Sequence, residues 1–120
     1  MPTPRTYDTQ NIFARILRKE IPCTPVYEDD YVLAFRDIAP KAPAHILVIP
    51  KGEYTCFNDF ATKADAEHVA GFFKAVQRIA RQMGVEKNGY RLIMNTGNDG
   101  GQEIEHFHVH ILGGEKLGPF

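Results

Sequence analysis

Three histidines, His106, His108 and His110, occupy alternate positions near the end of this chain, with Phe107, Val109 and Ile111 between them. In a β-strand successive side chains alternate faces, so the three imidazoles would project from one side, each about 6.5 to 7 Å from the next, and the apolar residues from the other. Imidazole is the side chain whose ordinary pKa lies nearest neutrality, so neighbouring histidines can divide the work of nucleophile, acid and hydrogen-bond donor. The same spacing also suits a His₃ zinc site, or a solvent-exposed strand face that merely tolerates histidine. Just upstream runs Thr96-Gly-Asn-Asp-Gly-Gly-Gln102. Its glycines supply a hairpin turn, and their backbone N–H groups beside the histidines could also cradle an anion. No Lys-Ser or Lys-Thr follows, so this is not a P-loop, and no Lys or Arg falls between Asn95 and Gly114. A phosphate held by this segment would rest on backbone amides, Asn95 and imidazoles, which argues for a single phosphate group over a long polyphosphate.

The elements that must position these residues follow from periodicity. Ile12, Phe13, Ile16 and Leu17 fall at helical spacing within a short helix from Asp8 to Glu20, with Asp8 or Thr9 as N-cap and Pro22 beyond the end. Val26 to Asp30 and Tyr31 to Phe35 read as a hairpin about a Glu-Asp-Asp turn, the second strand ending at Asp37. His45 to Ile49 is a β-branched run stopped by Pro50. Val69, Phe72, Phe73, Val76, Ile79, Ala80 and Met83 trace the apolar stripe of a long helix that covers the sheet, with Thr62 and Asp65 as a capping pair and Gly84 as its stop. His68 falls on the surface of that helix. Tyr90 to Asn95 and Ile104 to Leu112 are the last two strands. The expected class is α+β, a mainly antiparallel five-stranded meander with two helices packed against it.

Composition narrows the function. The 120 residues are about one domain's worth, and 43% hydrophobic with 24% charged residues is a globular composition. With 14 Lys and Arg against 15 Asp and Glu, nothing draws the chain to nucleic acid, so none is expected as a partner. Apolar runs as short as Ile46 to Ile49 exclude a helical membrane span. The two prolines of the N-terminus precede no signal-peptide core, and Cys23 and Cys56 read as free thiols, so a cytoplasmic protein is expected.

The run His106-Phe-His-Val-His110-Ile-Leu resembles the signature of the histidine triad superfamily, in which three histidines alternate with apolar residues. Asn11-Ile-Phe, Ile21-Pro22, Glu28-Asp-Asp30, Ala34-Phe-Arg-Asp-Ile38, Pro40 with Ala42-Pro43 and His45, Leu47-Val-Ile-Pro-Lys51 and Asp99-Gly-Gly-Gln102 extend the likeness to its Hint branch. It covers one domain over residues 8–118, leaving 1–7 as an N-terminal tail. The resemblance implies a hydrolase or nucleotidyl transferase acting on purine nucleoside phosphoramidates. His108 would be the nucleophile, His110 would hydrogen-bond the phosphate or leaving group and help to protonate it, and His106 and His45 would orient and support the nucleophile. It likewise assigns Asp37 to the ribose, and Ile12, Phe13, Ile16, Phe35 and Ile38 to the base. Asn95, Gly101, Gln102 and Glu103 would hold the phosphate.

It further implies a two-fold homodimer with the sheet extended across the interface, and no cofactor. Three departures stand out. Glu103 replaces the Ser of some members. Asn11 and Ala14 occupy the positions of a Cys-x-x-Cys that binds structural zinc in some bacterial relatives, so no metal is expected. The chain ends at Leu117-Gly-Pro-Phe120, without the tryptophan-containing tail of animal members. Two alternatives remain within reach of the same residues, a dinucleoside polyphosphate hydrolase and a nucleotide-sensing interaction module with residual activity.

Overall fold

The computed structural model describes residues 6–120, so most of the expected tail, residues 1–5, lies outside the described residues. Eight elements follow in order: α1 (Ile12–Leu17), β1 (Pro25–Glu28), β2 (Val32–Arg36), β3 (Ala44–Pro50), α2 (Phe57–Lys63), α3 (Ala66–Gln82), β4 (Tyr90–Ile93) and β5 (Val109–Gly113). The α+β class and the five-stranded sheet are as expected, and every pairing is antiparallel. The order β1-β2-β3-β5-β4 is not a meander, however. After β3 the chain makes a helical excursion through α2 and α3 and returns as β4 one strand's width away. The histidine strand β5 then fills the gap, with a neighbour on each side.

Register assigns the two faces of this sheet. Leu33 lies opposite Ile49, Phe35 opposite Leu47, and Leu47 opposite His110, so these side chains share one face, on which Phe13 and Ile16 of α1 pack. Val32, Ala34, Ile46, Val48, Val109 and Ile111 form the other face, covered by Phe60 of α2 and by Phe72, Val76 and Ile79 of α3. All seven residues of β3 are buried because layers cover it on both sides, which is why its sequence runs apolar without alternating.

Several boundaries move. Asn11, rather than Asp8 or Thr9, caps α1, its side chain accepting the Ala14 N–H at 2.9 Å. Asp8 instead closes the preceding turn, accepting the Gln10 N–H. Lys19, at φ +64°, turns the chain before Pro22 is reached. Pro50 is part of β3, at the final paired position opposite Val32. A third helix, α2, was not expected; it spans seven residues and buries only Phe60, too little for a 3.6-residue period to show. Thr62 belongs to α2, so Asp65 caps α3 alone, through the His68 N–H at 2.7 Å. Gly84, at φ +78°, ends α3 as expected. β4 stops at Ile93, and the ladder of β5 starts at Val109, not Ile104.

Residues 104–108 keep their alternation without a ladder. Phe107 sinks into the cluster under α3, its N–H bonded to the Tyr54 carbonyl at 2.8 Å. His68 is not a plain surface residue. It is half-buried among Tyr31, Tyr54 and Phe60, with ring centroids 5.4 to 5.7 Å away. Cys23 and Cys56 are free thiols. Among the described residues no helix is long and apolar enough to cross a membrane.

Candidate active site

The histidine-bearing face is not a solvated surface. It is roofed by α1 and the segments beside it, and His45, His106 and His108 are all buried. His45 enters from β3 and His110 from the adjacent strand β5, so the sheet itself sets their approach: His45 Nε2 stands 3.0 Å from His110 Nδ1. His108 and His110 have ring centroids 5.1 Å apart. The edge of Phe13 meets the His108 ring at 5.0 Å.

Partners that can only donate or only accept fix each proton. The Lys41 backbone N–H donates to His45 Nδ1 at 3.1 Å, so His45 carries its proton on Nε2. That proton is donated to His110 Nδ1, which leaves the His110 proton on Nε2. A carboxylate oxygen of Asp37 also stands 3.4 Å from His45 Nε2 and shares this donor. On the other limb, the His106 carbonyl accepts from His108 Nδ1 at 2.7 Å, so the proton of His108 is on Nδ1 and its Nε2 bears a lone pair. Adjacent rings therefore present opposite functions, a lone pair on His108 and an N–H on His110.

The environment keeps all four imidazoles neutral near pH 7. Burial pushes His106 down to about 4, against the opposing pull of the Pro50 carbonyl. Burial, followed by neighbouring His108 and His45, pushes His110 down to about 4. Burial also lowers His108, opposed by its bond to the His106 carbonyl and by Asp37 and Glu103. His45 is lowered for the same first reason, opposed by Asp37.

A cavity of about 610 Å³ opens beside His108, His110 and His45. Asp37 lines it, with one carboxylate oxygen accepting the Ala39 N–H at 2.8 Å. Ile12, Phe13, Ile16, Phe35 and Ile38 supply an apolar wall. Phe13, Ile16 and Phe35 are also core, whereas Ile38 is 97% exposed at the mouth. Asn95, Gly101 and Glu103 reach the same cavity from the glycine loop and its flanks.

Two expected site residues do not line it. His106 turns its ring away, with Nε2 3.0 Å from the Pro50 carbonyl and Nδ1 2.6 Å from the Tyr7 hydroxyl. Gln102 is spent inside the loop: its side chain accepts the Gly97 N–H and donates to the carbonyls of Thr55 and Ile104 at 2.6 and 2.9 Å. The loop's backbone is partly spent too. The N–H groups of Gly101 and Gln102 bond the carbonyls of Asn98 and Gly97. Gly100 is required here, since a Cβ would stand 2.4 Å from the Thr96 carbonyl oxygen.

The sequence reading missed other lining residues. Lys41 brings a cationic side chain to the cavity from the loop after β2, and Arg36 at the end of β2 also borders it, so the absence of Lys and Arg around the triad does not describe the whole site. Cys23, Leu47 and Leu112 are also in the wall, with Ile21, Pro22, Ala39, Ile93 and Ile104. For Leu47 a signal existed, because a β-strand residue two beyond His45 must share its face. Tyr7, assigned to a tail, carries none. A His₃ metal set of 106, 108 and 110 is not assembled. Among the described residues, the cluster with metal-ligating atoms within 4.8 Å of one another is Asp37, His45 and His110.

This arrangement has relatives. The chain is 50% identical over 111 residues to the purine nucleoside phosphoramidase of Escherichia coli strain K12, covering 92% of each protein. It is 46% identical over 119 residues to the 14 kDa zinc-binding protein of Zea mays, covering 94% of this chain and 88% of that one. The structure of a histidine triad protein from Clostridium difficile matches with a TM-score of 0.86 at 43% identity, over 96% of this chain and 99% of that one. Residues 18–117 match the HIT domain model, and the chain belongs to the HIT domain family.

Proposed function

We propose that this protein hydrolyses purine nucleoside phosphoramidates through a nucleotidyl-histidine intermediate, releasing a nucleoside monophosphate and an amine. The observation that carries the reading is the pair of fixed tautomers, a lone pair on His108 Nε2 beside a donor on His110 Nε2, at the wall of a nucleotide-sized cavity. His108 Nε2 attacks the α-phosphorus, a P–N bond to His108 forms, and the P–N bond to the amine breaks. Substrate phosphate draws one proton onto the His45–His110 pair, and the amine, a poor anion, leaves with the proton of His110 Nε2, which returns the pair to neutrality. The attack makes the His108 ring cationic, and the His106 carbonyl on Nδ1–H stabilises that charge. Water then displaces His108 and returns a proton to His110, so one difficult step becomes two easier ones. Neutral histidines suit both roles: an unprotonated nucleophile is ready at pH 7, and bound phosphate raises the basicity of His110.

In this reading Asp37 receives the ribose hydroxyls on the lone pairs its carboxylate keeps beyond those facing the Ala39 N–H and His45. Ile12, Phe13, Ile16, Phe35 and Ile38 hold the base. The phosphate lies against Asn95 and the Glu103 backbone, with Gly101 at the cavity wall and Gln102 holding the loop. The 50% identity to a protein named as a purine nucleoside phosphoramidase supports the substrate class. The working unit is proposed to be a homodimer joined along β4, an edge strand that exposes Leu92 at 42% and is followed by Met94 at 41%. Turnover of adenosine 5′-phosphoramidate is expected to exceed that of diadenosine triphosphate. Preference for the dinucleotide would transfer the reading to polyphosphates, which Lys41 would then serve.

A second reading rests on Asp37, His45 and His110, whose separations of 3.4 and 3.0 Å fit the edge of a tetrahedral zinc site. A cation there would need a lone pair on His45 Nε2, so the His45 proton would have to move to Nδ1 and displace the Lys41 N–H, and the hydrogen bond that orients His110 would be lost. Metal analysis of tag-free protein separates the readings: stoichiometric zinc lost in His45→Ala favours the metal, its absence the relay.

A further inference from the structure

We propose that Tyr7 is a positioning residue for the nucleophile, holding His106 so that the His106 carbonyl keeps the proton of His108 on Nδ1. The inference rests on the proposed role of His108 and extends it to a residue that the sequence reading placed in a tail. His106 is fully buried and both ring nitrogens are bonded, at 3.0 Å to the Pro50 carbonyl and at 2.6 Å to the Tyr7 hydroxyl. A carbonyl only accepts, so Nε2 carries the proton, Nδ1 is a bare lone pair, and the Tyr7 O–H is its donor. The Tyr7 ring also meets the His106 ring edge-on, with centroids 5.6 Å apart.

The consequence runs one residue further. With its ring pinned on both sides, His106 has one orientation, and its carbonyl is the acceptor 2.7 Å from His108 Nδ1. Tyr7 thus ends a chain, from hydroxyl to His106 ring, and from His106 backbone to His108 ring, whose far end is the lone pair facing the cavity. It mirrors the other limb, where the Lys41 N–H fixes His45 and His45 fixes His110. The groups around Tyr7 are the Asn11 side chain, Glu53, Arg18 and Asp8. Around His106 they are Tyr7, Phe13, His108 and the Pro50 carbonyl. The phenol is therefore the one donor facing His106 Nδ1 among the described residues. Without it Nδ1 is free to take a proton, which would place a cation beside His108.

The test is Tyr7→Phe, which removes the hydroxyl and keeps the ring. On adenosine 5′-phosphoramidate, kcat is expected to fall about tenfold with KM within about twofold. The acid limb of the kcat profile moves to higher pH. A merely structural tyrosine would lower the melting temperature and leave that limb in place, and such a result overturns the proposal, as does wild-type kcat.

A measurement on the unaltered protein is independent of folding: ¹⁵N spectra of the imidazoles should show His106 protonated on Nε2 and His108 on Nδ1. The opposite tautomer at either ring also overturns it. His108→Ala separates the two levels. Inactive His108→Ala with unimpaired Tyr7→Phe removes only the Tyr7 role, whereas turnover surviving in His108→Ala removes the nucleophile.

Discussion

The two faces of the sheet are built from the same strands and do different work. Under α3, Phe107, Val109 and Ile111 join Val32, Ile46 and Val48 in a buried apolar cluster. Under the much shorter α1, the intervening positions of the same segment place His106, His108 and His110 beside Leu47 and Phe35, with a cavity left open. A seventeen-residue helix can close its face, and a six-residue helix cannot. Strand alternation thus sends one set of residues to stability and the other to chemistry. The cost of the second face is that three imidazoles are buried, each tied by a hydrogen bond.

Single substitutions on the two faces should have opposite consequences. His108→Ala is expected to lower turnover at least about a thousandfold while the melting temperature changes little, because the lost group is the proposed nucleophile. Phe107→Ala, one residue away on the other face, should destabilise by about 3 to 5 kcal/mol, with kcat per folded molecule preserved. Parallel rate and denaturation measurements on the two variants decide it, and equal effects on both quantities would dissolve the distinction. Next in size, His45→Ala should reduce kcat about a hundredfold, since His110 loses the partner that fixes its tautomer.

The pH dependence sharpens the same contrast. All three triad histidines titrate below the ordinary 6.5 in the folded state, His106 and His110 at about 4. The unfolded chain therefore binds protons first as pH falls. Stability from the histidine face is full above pH 6.5 and is lost progressively as pH falls toward about 4. Activity should likewise persist below pH 6.5 and fail only as His108 is protonated. A kcat profile whose acid limb lies at or above 6.5 would contradict the buried, neutral triad. The smallest expected effect is at Ile38, which touches solvent more than protein. Ile38→Ala should raise KM a few-fold by loss of apolar contact to the base, with no measurable change in stability.

Much of this was legible in the sequence, and the failures have physical causes. Alternation from His106 to Ile111 is a local property, so the division of faces could be read directly, as could α3 with its stop at Gly84. The position of β5 between β3 and β4 is tertiary, and no spacing in the chain announces it. The roof over the histidines was missed for the same reason: α1 buries Phe13 and Ile16, but nothing local says against what. Within the site, side-chain type predicted chemistry better than direction. Gln102 is polar and beside the triad, yet its amide is consumed by Gly97, Thr55 and Ile104. Tyr7, Arg36 and Lys41 come from distant sequence and are brought to the histidines or their cavity only by folding.

As the nucleophile, His108 Nε2 must become covalently bonded to phosphorus. Intact-protein mass spectrometry during turnover of adenosine 5′-phosphoramidate tests it most directly. A transient mass increase of one adenylyl group is expected, absent in His108→Ala. Steady turnover with no adenylylated protein under rapid acid quench, or the same adduct in His108→Ala, would contradict it.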